Sequence, residues 1–437
     1  MKKLFGTDGI RGKAYQYPLN KKTVFNLGRV VAKNLKKDSN FLIGMDTRES
    51  SPHLSSFLFS GFKSLQIEPT FLGVISTPAL SWITKTLKKT EISVMVSASH
   101  NPYEDNGLKF FSKEGTKIAD AKEKLIEKML ENENEEPIDF SLPEPNEKLK
   151  LIYKDWLISL FLKDFLNGVK IVVDTANGSL SGFAQEIFRY FGAEVISLGD
   201  RPDGKNINKN VGSLYPALAI EKLNENSCQL SVCFDGDGDR VLFALPPNRI
   251  LDGDDLLYLF ALYFKDKGLL RDGVVATSMS NMGLEVALKK ENISLHRTNV
   301  GDRYVFEELR KKDLILGGEQ SGHIILRNFS NTGDGLLVSL KALEILKVKG
   351  FDLKSFKKFP QKIINYSVAK KFPFEELKIY KNFLKEIKKI IVNGRVVIRY
   401  SGTEPLLRVM LEAEDEEKIS IAENRVNEFV KNNWQLK

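Results

Sequence analysis

Cysteine, tryptophan and histidine are all scarce in this chain of 437 residues, which carries two, three and four of them respectively. Cys228 and Cys233 lie in CQLSVCF, which reads as a strand. Their odd offset puts them on opposite faces, so no mutual disulfide is expected and a reducing compartment suits the chain. A small secreted scaffold held by disulfides is thereby excluded. No uninterrupted apolar run approaches the ~18 residues of a membrane span. The opening MKKLF passes directly into GTDG, so no signal-peptide core is expected. Neither sign of charge dominates: 65 Lys and Arg stand against 57 Asp and Glu, a net charge of +8. The short basic pairs (Lys36-Lys37, Lys88-Lys89, Lys311-Lys312, Lys357-Lys358) are scattered rather than gathered with aromatics, so no nucleic-acid partner is expected. With 42% hydrophobic and 28% charged residues, the balance is that of a globular protein rather than a disordered one. At roughly 100–200 residues per domain, the length predicts two to four domains. These absences leave a cytoplasmic multidomain protein with no membrane partner.

Along the first two-thirds, short apolar runs alternate with helical patterns, as in βαβ units. FLIGMD, EPTFLGV and ISVMVSAS read as strands, with a helix from about 53 to 65. Residues 131–149 combine acidic residues with three prolines and read as a solvated linker. The pattern restarts at VKIVVDTANG and again at ILDGDDLLYLF. In the tail, KKIIV-NG-RVVIRY reads as a hairpin around Asn393-Gly394. LLRVMLEA follows as a strand, and a final helix is capped by Asp415. The expected architecture is three α/β domains, over 1–140, 150–250 and 251–355, and a smaller α+β domain over 360–437.

Four loops carry chemistry. In VSASHNPYEDNGLKFF, Ser99 is expected at an exposed strand-to-loop transition, followed by His100 and Asn101, with Lys109 brought back by Gly107. The spacing is not G-x-S-x-G, so a hydrolase nucleophile elbow is not supported. A seryl hydroxyl among polar donors suits a phosphoryl acceptor when a metal stabilises its oxyanion. In CFDGDGDR, Asp235, Asp237 and Asp239 alternate along the chain and are expected to project to one side, with Gly236 and Gly238 allowing the backbone close to a small ion. Oxygen-only ligands suit Mg²⁺ or Ca²⁺. An EF-hand fails, because its glycine position holds Arg240 and its final glutamate position holds Pro246. In GGEQSGH, Glu319, Ser321 and His323 alternate, and an acceptor, a hydroxyl and an imidazole on one side suit a polyol. In RYSGTEPLLR, Arg399, Ser401, Gly402, Thr403 and Arg408 are the ingredients of a phosphate nest. A metal, a serine acceptor, a polyol reader and a phosphate clamp together describe phosphoryl transfer on a phosphosugar.

These loops, with the opening FGTDGIRG and in this order, resemble the α-D-phosphohexomutase superfamily over essentially the whole chain. The resemblance implies four domains around a central cleft. It makes Ser99 a phosphoserine and gives Mg²⁺ to Asp235, Asp237 and Asp239, with the Ser99 phosphate as a further ligand. It implies phosphoryl contacts from Arg11 and Arg240, acid and base roles for Lys109 and His323, and substrate contacts from His100, Asn101, Glu319 and Ser321. Arg399, Ser401, Gly402, Thr403 and Arg408 would hold the substrate's non-reacting phosphate. The implied reaction converts glucosamine 6-phosphate to glucosamine 1-phosphate, with the 1,6-bisphosphate as intermediate and activator, on the route to UDP-N-acetylglucosamine. Mannose or glucose phosphates use the same machinery and are the alternative substrates. A Ca²⁺- or sugar-binding module without catalysis is the alternative of another class, and it has no need of Ser99. A homodimer, and a kinase or autophosphorylation to charge Ser99, complete the partners compatible with the resemblance.

Overall fold

The computed structural model describes residues 4–6, 8–35, 39–351, 355–375, 377–400 and 406–436. Four sheets follow one another along the chain. The first has six strands in the order Phe5–Gly6, Gly9–Lys13, Asp105–Ser112, Thr90–Val96, Asn40–Met45, Thr70–Val74. Its strand Thr90–Val96 runs parallel to Asn40–Met45 on one side and antiparallel to Asp105–Ser112 on the other. Six of its seven residues are buried, as a central strand covered on both faces requires. The second sheet runs Arg249–Leu251, Val241–Leu245, Leu230–Phe234, Lys170–Asp174, Glu194–Leu198. The third runs Ser294–Thr298, Gly273–Thr277, Leu316–Gly318, Ile324–Leu326. The last is wholly antiparallel, with Leu406–Glu412 between Gln361–Ser367 and Arg395–Tyr400. Three α/β units followed by an α+β unit is the architecture expected from the sequence.

Helix ends follow their capping chemistry. Asn20 accepts from the Thr23 amide at the head of Lys21–Lys33, and Asp252 with Asp255 forms a capping box on Gly253–Asp266. Asp415 accepts from the Lys418 amide and opens the helix Glu416–Asn433. The helix Gly335–Lys349 is buried on nearly every side because it lies between units.

Three readings of the sequence are corrected. Residues 133–146 are not a free linker. Glu133 bonds Arg29 and Lys33, Glu135 exchanges bonds with the Asn26 amide, and the Phe140 amide donates to Ser60 Oγ, so the segment lies along the first unit. A helix then begins at Glu147. The Asn393-Gly394 pair joins a helix, Lys378–Ile390, to a strand rather than two strands. Tyr380, Phe383 and Ile387 recur at helical spacing and are buried, and that periodicity overrides the β-rich composition. Cys228 precedes its strand, which starts at Leu230, and both cysteines are buried and free.

One hydrophobic core runs through the first three units, from Leu42 and Leu80 through Ile171 and Val173 to Val274, Ala276 and Leu346. The last unit has a separate core around Phe383, Leu407, Val409, Leu411 and Phe429. Its attachment is polar. Arg395 bonds Glu412 and donates to the carbonyls of Ser278 (3.0 Å) and Ser280 (2.6 Å), while Glu412 accepts from the Met282 amide (2.8 Å). No helix among the described residues is long and apolar enough to cross a membrane.

The helices Lys21–Lys33 and Ser51–Lys63 cross at Gly28 and Gly61, where a Cβ on Gly61 would run into the Phe25 carbonyl oxygen. Gly61→Ala is expected to destabilise the first unit by about 1–3 kcal/mol, seen as an earlier first transition in calorimetry.

Candidate active site

The strand Thr90–Val96 ends in a bend that turns Ser99 inward. Ser99 has φ +54°, a left-handed conformation that L residues rarely adopt, and its amide donates to Ser97 Oγ at 2.9 Å. The hydroxyl is buried, not exposed as its position after a strand suggested, because the second unit's aspartate loop covers it. Ser99 Oγ donates to Asp235 Oδ2 at 2.6 Å and lies 3.2 Å from His100 Nδ1. Lys109 stands opposite Met95 in the neighbouring strand, and its buried Nζ reaches Asp237 (2.7 Å), Asp8 (3.3 Å) and Asp239 (3.4 Å). Burial opposes the ammonium charge, but those carboxylates outweigh it and hold the Lys109 pKa well above its ordinary value.

Between the strands Leu230–Phe234 and Val241–Leu245 the chain makes a tight turn, with the Gly238 amide donating to the Asp235 carbonyl at 3.1 Å. Asp235, Asp237 and Asp239 therefore converge through the turn, not through the pleat of an extended chain. Their candidate ligand atoms lie within 4.8 Å of one another, and all three residues are buried. Gly236 is required by close approach: a Cβ there would sit 2.6 Å from the Ser99 carbonyl oxygen. Burial, then repulsion from Asp239 and Asp237, pushes the Asp235 carboxyl well above its usual range. Burial also opposes charge on Asp237, yet Lys109 and the Thr77 hydroxyl hold that carboxyl below its usual range. One oxygen of Asp237 and one of Asp239 are buried with no hydrogen-bond partner. Orphaned acceptors in an all-oxygen cluster fit a small divalent cation. The cluster is thus suited to hold a metal ion.

Two arginines flank it. The Arg240 amide donates to Asp235 Oδ1 (3.1 Å), and its guanidinium is held charged by Asp239 and Asp235 against burial. Arg11 pairs with Asp8 and reaches Asn101 Oδ1 at 3.3 Å. Next to them the His100 pKa is pushed down to about 2 by Arg240, burial and Arg11, so the imidazole is neutral.

In the third unit, Glu319 to His323 form the turn between Leu316–Gly318 and Ile324–Leu326. Their alternation predicted one shared face, but the turn separates them. Glu319 accepts from the Gly301 amide at 3.1 Å and adds its field to Arg240, Ser321 is exposed, and His323 is turned inward. His323 Nε2 accepts from the Gly333 amide (3.2 Å) and lies 3.8 Å from Asp302 and 4.0 Å from Asp239. Arg399 and Arg408 face each other across the last sheet and line a cavity of about 200 Å³ with Met279 and Asn365. Ser401, Gly402 and Thr403 lie outside the described residues.

Ser99, His100, Asn101, Lys109, Arg11, Arg240, the three aspartates and His323 are thus gathered in one cluster. Arg399 and Arg408 stand apart on the last unit, linked to it through the field of Glu319 on Arg399. Asp8, Thr77, Lys117 and Asp302 belong to the site and were not singled out from the sequence. Thr77 donates to Asp237 from its hydroxyl (2.5 Å), and Lys117 bridges Asp8 of the first unit to Asp302 of the third. The Asp8 of FGTDGIRG lay inside a quoted motif, and the other three carry no spacing signal.

A fold of four such units with this cleft chemistry defines a phosphosugar mutase. The sequence matches the family models for phosphoglucomutase/phosphomannomutase α/β/α domain I over residues 2–137, domain II over 160–247, domain III over 252–363 and the C-terminal domain over 363–428. The chain belongs to the phosphoglucomutase/phosphomannomutase family. It is 40% identical to the phosphoglucosamine mutase of Citrifermentans bemidjiense over 448 residues, 98% of each chain. It is equally 40% identical to that of Staphylococcus haemolyticus over 456 residues, covering both chains fully. In fold it resembles a phosphoglucomutase/phosphomannomutase family protein from Burkholderia thailandensis, with a TM-score of 0.80 at 19% identity, over 100% of this chain and 99% of that one.

Two outcomes are expected. Asp237→Asn should weaken Mn²⁺ binding, followed by electron paramagnetic resonance, by at least about tenfold. In the unphosphorylated, metal-free protein the His100 ring resonances should not titrate between about pH 5 and 9 in NMR, since a pKa near 2 leaves the ring neutral throughout.

Proposed function

We propose that the chain is a phosphoglucosamine mutase, interconverting glucosamine 6-phosphate and glucosamine 1-phosphate through phospho-Ser99 and a 1,6-bisphosphate. The observation that carries the reading is the buried Ser99 hydroxyl, 2.6 Å from Asp235 in a cluster of three aspartates, two of which, Asp237 and Asp239, retain an unpartnered oxygen. The full-length relatives named phosphoglucosamine mutase support the substrate.

Asp235, Asp237 and Asp239 would hold Mg²⁺ together with the Ser99 phosphate. When bound, the ion supplies positive charge that offsets the charge of the transferring group. In the first transfer the bond from phosphorus to Ser99 Oγ breaks as a bond to the sugar's 1-oxygen forms, and the 1-hydroxyl proton passes to a base. In the second, the bond from phosphorus to the 6-oxygen breaks as Ser99 Oγ is rephosphorylated, and the 6-oxygen takes up a proton. Lys109, held charged by its carboxylates, serves as the cation beside the transferring group. His323 Nδ1, buried and without a hydrogen-bond partner, is the ring atom available to exchange a proton with a sugar hydroxyl. Arg11, Arg240, His100 and Asn101 line the transferring phosphoryl group, and Glu319 and Ser321 read sugar hydroxyls. Arg399 and Arg408, with Ser401, Gly402 and Thr403, take the phosphate that is not reacting. Burial of Ser99 keeps water from the phosphoenzyme, which favours transfer over hydrolysis. Ser99 first receives its phosphate from a kinase or by autophosphorylation. Free buried cysteines and the small-metabolite substrate suit the cytoplasm.

Ser99→Ala is expected to abolish mutase turnover while leaving the circular dichroism spectrum and Mn²⁺ binding close to wild type; full activity in that variant would end the phosphoserine reading. With phosphorylated enzyme and Mg²⁺, kcat/KM is expected to be highest for glucosamine 6-phosphate among the glucosamine, mannose and glucose 6-phosphates. A preference for mannose 6-phosphate would reassign the substrate.

A further inference from the structure

The bend that carries Ser99 is gripped from behind by two side chains with no part in the chemistry above. Arg48 follows the strand Asn40–Met45, and its side chain has no exposed surface. Its Nη2 donates to the carbonyls of Ser99 and Asn101, both at 2.9 Å, and Nη1 to those of Asp105 (3.1 Å) and Pro102. Its Nε donates to Asp46 at 2.9 Å, so all of its nitrogens are engaged. Asp46 also accepts from the hydroxyl of Ser97 (2.7 Å), the same oxygen that receives the Ser99 amide. Residues 97–105 therefore wrap around one guanidinium. From the second unit, Asn208 Nδ2 donates to the same two carbonyls, at 2.9 Å for Ser99 and 3.3 Å for Asn101. Asn208 is itself set by its amide bond to the Ala176 carbonyl (2.8 Å).

Resting on the function proposed above, we propose that Arg48 and Asn208 are positioning residues for the phosphoryl transfer. They grip the Ser99 and Asn101 carbonyls from two different units and fix the left-handed backbone that aims Ser99 Oγ at the aspartate cluster. A carbonyl held from both sides of the domain boundary ties the aim of the serine to the docking of the second unit, which also carries the aspartates. A small misplacement of a reacting oxygen costs rate rather than affinity, so the signature is in kcat.

Asn208→Ala removes one donor and leaves Arg48 in place, and Asn208→Asp keeps the shape while exchanging the donor for an acceptor. Both are expected to lower kcat by about 10- to 100-fold, with KM for glucosamine 6-phosphate and Mn²⁺ affinity each within about twofold of wild type. Amides of residues 99–105 should exchange hydrogen at least about tenfold faster in both, with exchange elsewhere in the core unchanged. Arg48→Lys keeps the charge but not the fork, and should show the same kcat loss if it folds. Wild-type kcat in both Asn208 variants, or a loss confined to KM, overturns the inference. If wild-type enzyme shows no mutase activity, the proposed function fails instead, and unchanged exchange of residues 99–105 in Asn208→Ala then overturns the positioning role by itself.

Discussion

A single buried ammonium holds the centre of this cleft together. Lys109 comes from the first unit, and the carboxylates it meets come from the first and the second. Stripping water from so many charges is costly, and the close approach of Lys109 to three carboxylates offsets that cost. The same alternation continues outward through Asp8 and Lys117 to Asp302, which carries it into the third unit beside His323. Arg303, the next residue, extends the seam by pairing with Asp120 and Glu123 of the first unit. Ser99, the three aspartates and His323 sit at their separations because three units are tied by one chain of charges.

Below that seam the three units are fused by a continuous apolar core, whereas the fourth packs on its own. The division of labour follows from this. Chemistry that demands fixed distances lies on the fused part. The Arg399–Arg408 pair, proposed to take the far phosphate, lies on a unit attached through the Arg395–Glu412 pair and a few backbone bonds to residues 278–282. A hydrogen-bonded attachment of that size is easier to rotate about than an apolar interface.

The sequence made the strands of the α/β units legible because their buried runs are short, continuous and bounded by turn residues. It made the acidic cluster legible because three aspartates at alternate positions are costly without a cation. It misplaced Ser99 at the surface, since nothing local says that a loop more than a hundred residues away folds over it. It read Lys388 to Val392 as strand on β-rich composition, where the periodicity of Tyr380, Phe383 and Ile387 makes most of the stretch helix. Arg48, Lys117, Asn208 and Asp302 were invisible for a common reason. Each acts on a partner in another loop or unit, and ordinary polar residues at ordinary spacing carry no mark of that.

The facing pair Arg399 and Arg408 has a consequence for the last unit's own thermodynamics. Two guanidinium groups directly opposed on neighbouring strands repel one another. A phosphate between them would convert that repulsion into two attractions, and a ligand that binds only the folded form stabilises it by mass action. On the function proposed, a sugar phosphate bound there would act as a folding effector for this unit as well as a substrate.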